Sequence, residues 1–245
     1  MTVTNLPANL LTIYGRKPVL EALQDTSIEF HKVHFADSNK PSGIIKDIKD
    51  LCAQRGIEIA THDKLALSRI SKNKKQDQGV AADILATNFC DAEDFFNTHD
   101  HYKVIALENV TNPQNVGMII RAACAGGVDG ILIPKKGCAK LDALVIKASA
   151  GTLFRAPILR CEQMTAGLVS AKANGACVFG LALQDSQPIN SAHKQQKEVY
   201  VLGNETDGMS PAARKHCDEL LFIPMQNGIE SLNVAITAAL IAFMR

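Results

Sequence analysis

Apolar positions recur at helical spacing in RKPVLEALQ (16–24), with Pro18 in the first turn. They alternate with polar ones in FHKVHF (30–35), the period of a half-buried strand. GIIKDIKDLCAQR returns to helical spacing between a Ser42 cap and a Gly56 stop. IEIAT predicts a strand, DKLALSRI a short helix and GVAADILA another strand, which makes 10–88 a small α/β unit. The polar, acidic run DAEDFFNTHDH (91–101) is expected to belong to a linker over 89–101. A second series fills 102–245. It opens with strand YKVIALE and helix NVGMIIRAACA, stopped by Gly126 and Gly127, then strand GILIP, a helix around DALVIKAS and a helix over 162–174. Strands ACVFGLAL, EVYVLG and LLFIP follow, with a final helix from Ser231. Nearly continuous apolar strands alternating with helices predict an α/β class with a parallel sheet covered on both faces.

The 245 residues are 47% hydrophobic and 21% charged, which excludes wholesale disorder and suits one large or two modest cores. With 26 basic and 25 acidic residues the net charge is +1, so no global positive field marks a nucleic-acid binder, although a local patch would suffice. Two patches exist. RISKNKK (69–75) carries four basic residues and no acid, and 121–160 carries a net +5. Each is either a solvated face or a nucleic-acid contact. The cysteines at 52, 90, 124, 138, 161, 177 and 217 form no C-x-x-C, and are expected to be buried small hydrophobes in a reducing cytosol. The histidine pairs 31/34 and 99/101 lack further ligands at suitable spacing, so no metal is expected. The amino terminus lacks the pattern of a signal peptide, and the longest apolar stretch, Val234–Met244, is half a membrane span. A cytoplasmic protein without membrane association is expected.

Phosphate-binding glycine motifs fail. Gly126, Gly127 and Gly130 follow a helix and precede a strand, the reverse of the dinucleotide order, and no P-loop pattern occurs. Three other loops stand out because each follows an apolar strand and combines glycine with amides or carboxylates: 108–117, 202–210 and 223–234. In open parallel sheets, ligands bind at the carboxyl ends of strands. Taken singly, Asn115 and Ser231 could be helix N-caps, Glu205 a surface turn residue and Asn233 a first-turn side chain. Three such loops on one sheet edge argue for a site.

At these loops the chain resembles the SpoU-type (trefoil-knot, SPOUT superfamily) RNA ribose 2′-O-methyltransferases. N-x-G-x-x-x-R matches Asn115, Gly117 and Arg121; [VIL]-L-G-x-E-x-x-G matches Leu202, Gly203, Glu205 and Gly208; I-P-M…S-L-N-V matches Ile223–Met225 and Ser231–Val234. SAGT (149–152) resembles the small-residue turn between the first two motifs. YGRKPVLEAL (14–23) and QGVAADI (78–84) resemble the ends of a ribosomal-protein-like RNA-binding domain found in the branch that methylates large-subunit rRNA guanosine. The chain departs from the pattern at Thr206, where glycine is usual, at Asn227-Gly228, where the glycine comes one place late, and at Asp77, where histidine is common.

The resemblance implies a trefoil-knot methyltransferase domain over 102–245 behind an RNA substrate-binding domain over 10–88. S-adenosylmethionine would be the cofactor, RNA the substrate and a homodimer the working form. It implies catalytic roles for Asn115, Arg121, Glu205, Ser231 and Asn233, and cofactor contacts at Leu202, Gly203, Ile223, Met225 and Leu232. Arg121 is the family's proton acceptor, yet an arginine is effectively always protonated, which favours a role in holding phosphate and ribose. Lys72, Lys74 and Lys75 are expected to bind RNA together with Arg121. Large-subunit rRNA guanosine is the expected target. The alternatives are a tRNA ribose 2′-O-methyltransferase and a non-catalytic RNA-binding or ribosome-assembly factor.

Overall fold

The computed structural model describes residues 10–191 and 194–244, and these divide into two compact units. Residues 1–9, on which the leader argument partly rests, and Arg245, the end of the expected second domain, lie outside the described residues. Among the described residues no helix is long and apolar enough to cross a membrane, and no group of three or more His, Cys, Asp or Glu could hold a metal ion.

The first unit is built from β1 (Leu10–Tyr14), α1 (Arg16–Gln24), β2 (Glu29–Ala36), α2 (Ile44–Arg55), β3 (Ile59–His62), α3 (Lys64–Ser71) and β4 (Val80–Leu85). Its sheet has the order β1-β4-β2-β3, antiparallel except between β2 and β3. α2 turns Ile45, Ile48 and Cys52 inward, the spacing of one helical face, while Arg55 donates to the carbonyls of Leu23 and Ile28 at 2.7 and 2.6 Å. Ser42 does not cap α2: the N-cap is Gly43, and no side chain bonds to that helix end.

Beyond β4 the chain forms β5 (Phe89–Asp91), α4 (Ala92–Thr98), β6 (Tyr102–Leu107), α5 (Pro113–Gly126), β7 (Gly130–Pro134), α6 (Ala143–Ala148), β8 (Ile158–Cys161) and α7 (Met164–Ala173), all in the second unit except α6, which but for its last residue lies in the first. It closes with β9 (Cys177–Leu181), β10 (Gln187–Pro188), β11 (Lys197–Leu202), α8 (Pro211–Arg214), β12 (Glu219–Phe222) and α9 (Val234–Phe243). Eight strands in the order β10-β12-β9-β11-β6-β7-β8-β5 pair in parallel throughout. α4 and α7 cover one face through Phe95, Phe96, Met164 and Leu168, packed with Leu132, Leu159, Val178 and Val201. α9 packs on α5, and their backbones approach so closely that a Cβ at Gly126 would stand 2.5 Å from that of Ala242.

Two boundaries differ from expectation. Residues 89–98 are not a linker: β5 pairs with β8, and α4 buries Ala92, Phe95 and Phe96. The acids that gave this run its linker-like composition, Glu93 and Asp94, occupy the first turn of α4, behind an Asp91 cap, where the helix dipole favours negative charge. Residues 141–147, placed by expectation in the second domain, belong to the first unit. Tyr14 Oη donates to Asp142 Oδ2 at 3.1 Å, and Ala143 packs against Tyr14, Ala36, Leu67 and Ala81.

The cysteines are not uniformly buried. Cys52 and Cys161 are buried, Cys90 is exposed and the other four are intermediate.

Candidate active site

Because β6, β11 and β12 run parallel in one sheet, their carboxyl ends deliver all three loops to the same edge. The loop after β6 leads into α5. Asn112 caps that helix, its side chain accepting from Gln114 N at 2.9 Å, and Pro113 occupies the first turn, where its missing N–H is not needed. Asn115 is therefore not the cap. It lies on the inward face of the first turn, 7% exposed. Its Nδ2 donates to Glu205 Oε1 in the second loop, and its Oδ1 accepts from Asn233 Nδ2 of the third loop at 3.2 Å. Asn233, not Ser231, caps α9, accepting from Ala235 N at 2.8 Å. A carboxylate only accepts, so Glu205 fixes which end of the Asn115 amide is which, and Asn115 in turn fixes Asn233.

The second loop folds back on itself. Asn204 and Gly208 exchange backbone hydrogen bonds at 2.9 Å each, and Asn204 Oδ1 accepts from Thr206 N at 2.8 Å and Asp207 N at 3.3 Å. Asn204 Nδ2 donates to Asn109 O at 3.0 Å. Glu108, 6% exposed, accepts from Ser210 N at 3.1 Å and from Asn109 Nδ2 at 3.0 Å. A Cβ on Gly203 would stand 2.3 Å from the carbonyl carbon of Gly208 and 2.5 Å from its oxygen, so this turn admits only glycine. Neither departure from the motifs strains the backbone. Thr206 has no positive φ, and Asn227, standing where glycine is usual, has φ 56°, a conformation that asparagine tolerates better than most residues.

The second and third loops enclose a cavity of about 570 Å³, within the range of small-molecule sites. Leu202, Gly203, Ile223, Met225 and Leu232 all line it, as do Glu205 and Ser231. Glu205 thus belongs both to the cavity wall and to the amide–carboxylate chain. Ser231 is exposed and makes no hydrogen bond to a described residue. Arg121 is not drawn into this group: it is an exposed residue of α5 with no hydrogen bond or ion pair to a described residue. Arg214 of α8, which the motifs did not mark, also lines the cavity, its Nη2 held by Gln184 O at 3.0 Å and Asp185 Oδ2 at 3.2 Å. Glu108, Asn109 and Asn204 were missed as well; a carboxylate placed directly after an apolar strand was their only signal. Cys138 donates to Leu107 O, and burial pushes its thiol up to about 11, far from a nucleophile's range.

In the first unit, Lys72, Lys74 and Lys75 are exposed, and none has a hydrogen bond or ion pair to a described residue. Their loop is held from beneath. Asp77 accepts from Ser71 Oγ at 2.9 Å and Gly79 N at 3.0 Å, and Asn73 donates to Tyr14 Oη at 3.0 Å. The carboxylate that replaces the usual histidine is turned into the loop, 7% exposed.

A family model described as SpoU rRNA Methylase matches residues 102–243, and one described as RNA 2′-O ribose methyltransferase substrate binding matches 12–89. Relatives from Mycobacterium ulcerans and Mycobacterium tuberculosis, each described as an uncharacterized tRNA/rRNA methyltransferase, are 29% identical over 233 residues. The match covers 94% of this chain and 74% and 72% of theirs. An AdoMet-bound rRNA methyltransferase from Sinorhizobium meliloti superposes with a TM-score of 0.67 at 22% identity, covering 96% of this chain and 86% of that one. The SpoU methyltransferase AviRb from Streptomyces viridochromogenes gives 0.68 at 21%, covering 96% and 88%.

Proposed function

Since the chain belongs to the SpoU rRNA methylase family, we propose that it is a cytoplasmic S-adenosylmethionine-dependent RNA ribose 2′-O-methyltransferase acting on a guanosine of large-subunit rRNA. One observation carries this reading: the cavity between the second and third loops shares Glu205 with the Asn115–Asn233 chain, so a cofactor site and a polar site adjoin. The wall suits the cofactor. Leu202, Ile223, Met225 and Leu232 offer apolar contact for an adenine, and the Gly203 turn lets backbone approach closely. Glu205, Asp207 and Glu230 line the cavity against one cation, Arg214, a balance fitting a ligand with sulfonium and ammonium groups and a single carboxylate.

The bound cofactor supplies the electrophilic methyl group. The chain's own residues orient the attacking hydroxyl. Asn115, locked by Glu205, and Asn233, locked by Asn115, present fixed amides to the ribose, and Ser231 adds a rotatable hydroxyl at the cavity rim. Arg121, exposed and unengaged, reaches for phosphate and ribose as a permanent cation. Lys72, Lys74 and Lys75 hold RNA through its phosphates from the substrate-binding domain. The carboxyl-terminal stretch passing through a loop as a trefoil knot, and a homodimer, complete the reading. For the dimer, α9 offers Ile236, Leu240 and Phe243 at one-face spacing, 51%, 48% and 61% exposed, beside an apolar groove of about 630 Å³. Elution as a strict monomer at micromolar concentration would overturn it.

The test incubates the protein and its Arg121→Ala form with labelled S-adenosylmethionine and, separately, unmodified large-subunit rRNA and tRNA transcripts, then identifies the nucleosides by mass spectrometry. Labelled 2′-O-methylguanosine in rRNA alone, lost with Arg121→Ala, is expected. Label in tRNA keeps the chemistry and moves the substrate. No label and no cofactor binding leaves the RNA-binding factor.

A further inference from the structure

The carboxyl edge of the parallel sheet changes character along its length. Over β12, β9 and β11 lies the cavity, and between β11 and β6 the amide–carboxylate chain. Over β7 and β8 the edge is cationic. Lys135 and Lys136 follow β7, Lys140 closes the same loop, and Arg160 sits near the end of β8 opposite Ile133. Lys136 and Lys140 are exposed, with no ion pair or hydrogen bond to a described residue. Lys135 pairs with Glu162, whose carboxyl is held below its usual range by that bond and, more weakly, by Lys136 and Arg160.

Arg160 differs from these surface lysines. Along β8 its side chain alternates with Leu159, which is sunk in the core facing α7. Arg160 is half-buried, and its Nη1 is buried with no hydrogen-bond partner among the described residues. Burial disfavours its charged form, yet an arginine remains charged at neutral pH. A buried cationic N–H without an acceptor is costly and in native proteins usually marks a missing partner. Nearby carboxylates are already engaged: Glu162 by Lys135, Glu108 by Ser210 N and Asn109, Asp91 by Glu93 N. Among the described residues, Arg160 Nη1 and the unpaired Lys136 and Lys140 would all accept an anion. β6 and β8 lie two strand spacings apart, about 10 Å, so the row begins beside the polar chain at Asn115.

We infer that the edge over β7 and β8 is the track on which the RNA backbone continues beyond its methylated ribose, with Arg160 gripping one phosphate and Lys136 and Lys140 flanking its neighbours. This rests on the RNA methyltransferase reading and adds to it a location for the strand. A phosphate suits the guanidinium because its oxygens accept two parallel N–H bonds while supplying the missing charge. The lysines act as point charges and need no fixed geometry.

The experiment measures binding of an unmodified large-subunit rRNA transcript across a salt series for the full chain, Lys136→Ala/Lys140→Ala, Arg160→Gln and Arg160→Lys, with S-adenosylmethionine affinity measured by calorimetry on each. The double variant should weaken RNA binding and flatten the log–log salt slope by roughly 1.4–1.8, the share of two phosphate contacts. In turnover it should raise KM while leaving kcat in place. Arg160→Gln should lose about tenfold or more in RNA affinity, as expected for a charge-assisted bond, with cofactor affinity within twofold. Arg160→Lys should recover part of the loss. If Arg160→Gln does not fold, the double variant, at exposed positions, decides alone. Unchanged RNA affinity and slope in the double variant, with the unaltered chain binding normally, overturns the track and spares the function. Failure of the unaltered chain to bind any transcript overturns both. A polyglutamate peptide that competes as strongly as RNA, and loses that ability in the variants, makes the edge an acidic-protein surface instead.

Discussion

The second and third loops line one cavity but are built in opposite ways. The second is closed by the Asn204–Gly208 backbone pair, filled by the Asn204 side chain and tied to the first loop by Glu108 and Asn109. The third has one internal backbone bond, Ile229 N to Gln226 O at 3.2 Å, and residues 226–231 are all exposed. Its positive-φ pair, Asn227 and Gly228, turns the chain without a side-chain scaffold. One wall of the cavity is fixed before any ligand arrives. The other is anchored chiefly at Asn233 and has few internal bonds to hold its shape, the division expected where a ligand must enter a site that later holds it closely.

The contrast can be broken most severely at Gly203. Gly203→Ala forces a Cβ into backbone rather than into a yielding side chain, at a cost of ~3 kcal/mol or more. Cofactor affinity by calorimetry should fall a hundredfold or further, and affinity within threefold of the parent would refute the rigid wall. Next comes Glu108→Ala, which strips Ser210 N of its acceptor. Leaving that group unpaired costs about 1–3 kcal/mol and lowers the melting temperature by roughly 2–10 °C. An unaltered melting curve would show that the tie carries no weight. On the sparsely bonded side, Asn233→Ala removes the cap of α9 together with the hold on Asn115, and about 1 kcal/mol of stability should go with them. Turnover should drop more than stability does, whereas a capping role alone would leave kcat untouched. The smallest effects lie at the turn itself. Asn227→Gly should be neutral within a few tenths of a kcal/mol, and Asn227→Ala should cost about 1 kcal/mol in chemical denaturation. Hydrogen exchange sharpens the comparison without mutation: amides at 204–210 should be protected in the free protein, and those at 226–231 only after S-adenosylmethionine is added.

Most of the elements were legible because each declared a period: the α2 face at Ile45, Ile48 and Cys52, or the unbroken apolar run of β7. β8 was missed because four residues that include Arg160 carry no pattern, and β5 because three residues are too few for one. α4 was hidden by its own N-terminal acids. At the site, the motifs marked Leu202, Gly203, Glu205, Ile223, Met225 and Leu232 on the cavity wall but not Arg214. Glu108, Asn109 and Asn204, which hold the second loop in shape, act through backbone groups, and backbone partners leave no spacing to read. Caps were misplaced by two or three residues, at Asn112 rather than Asn115 and at Asn233 rather than Ser231, since several polar residues in a row can each start a helix.

Residues 141–147, which belong to the first unit, constrain the order in which the protein can be made. The chain leaves that unit after residue 87, returns at 141 and leaves again after 147. During synthesis, β1 to β4 emerge long before Asp142 and Ala143, so Tyr14 waits without its carboxylate acceptor while the strands and helices of 88–140 are delivered. The first unit is thus completed by a segment encoded within the second. A fragment ending at residue 88 lacks the Asp142 and Ala143 contacts, and a nick in the 87–88 connection leaves two further covalent crossings intact.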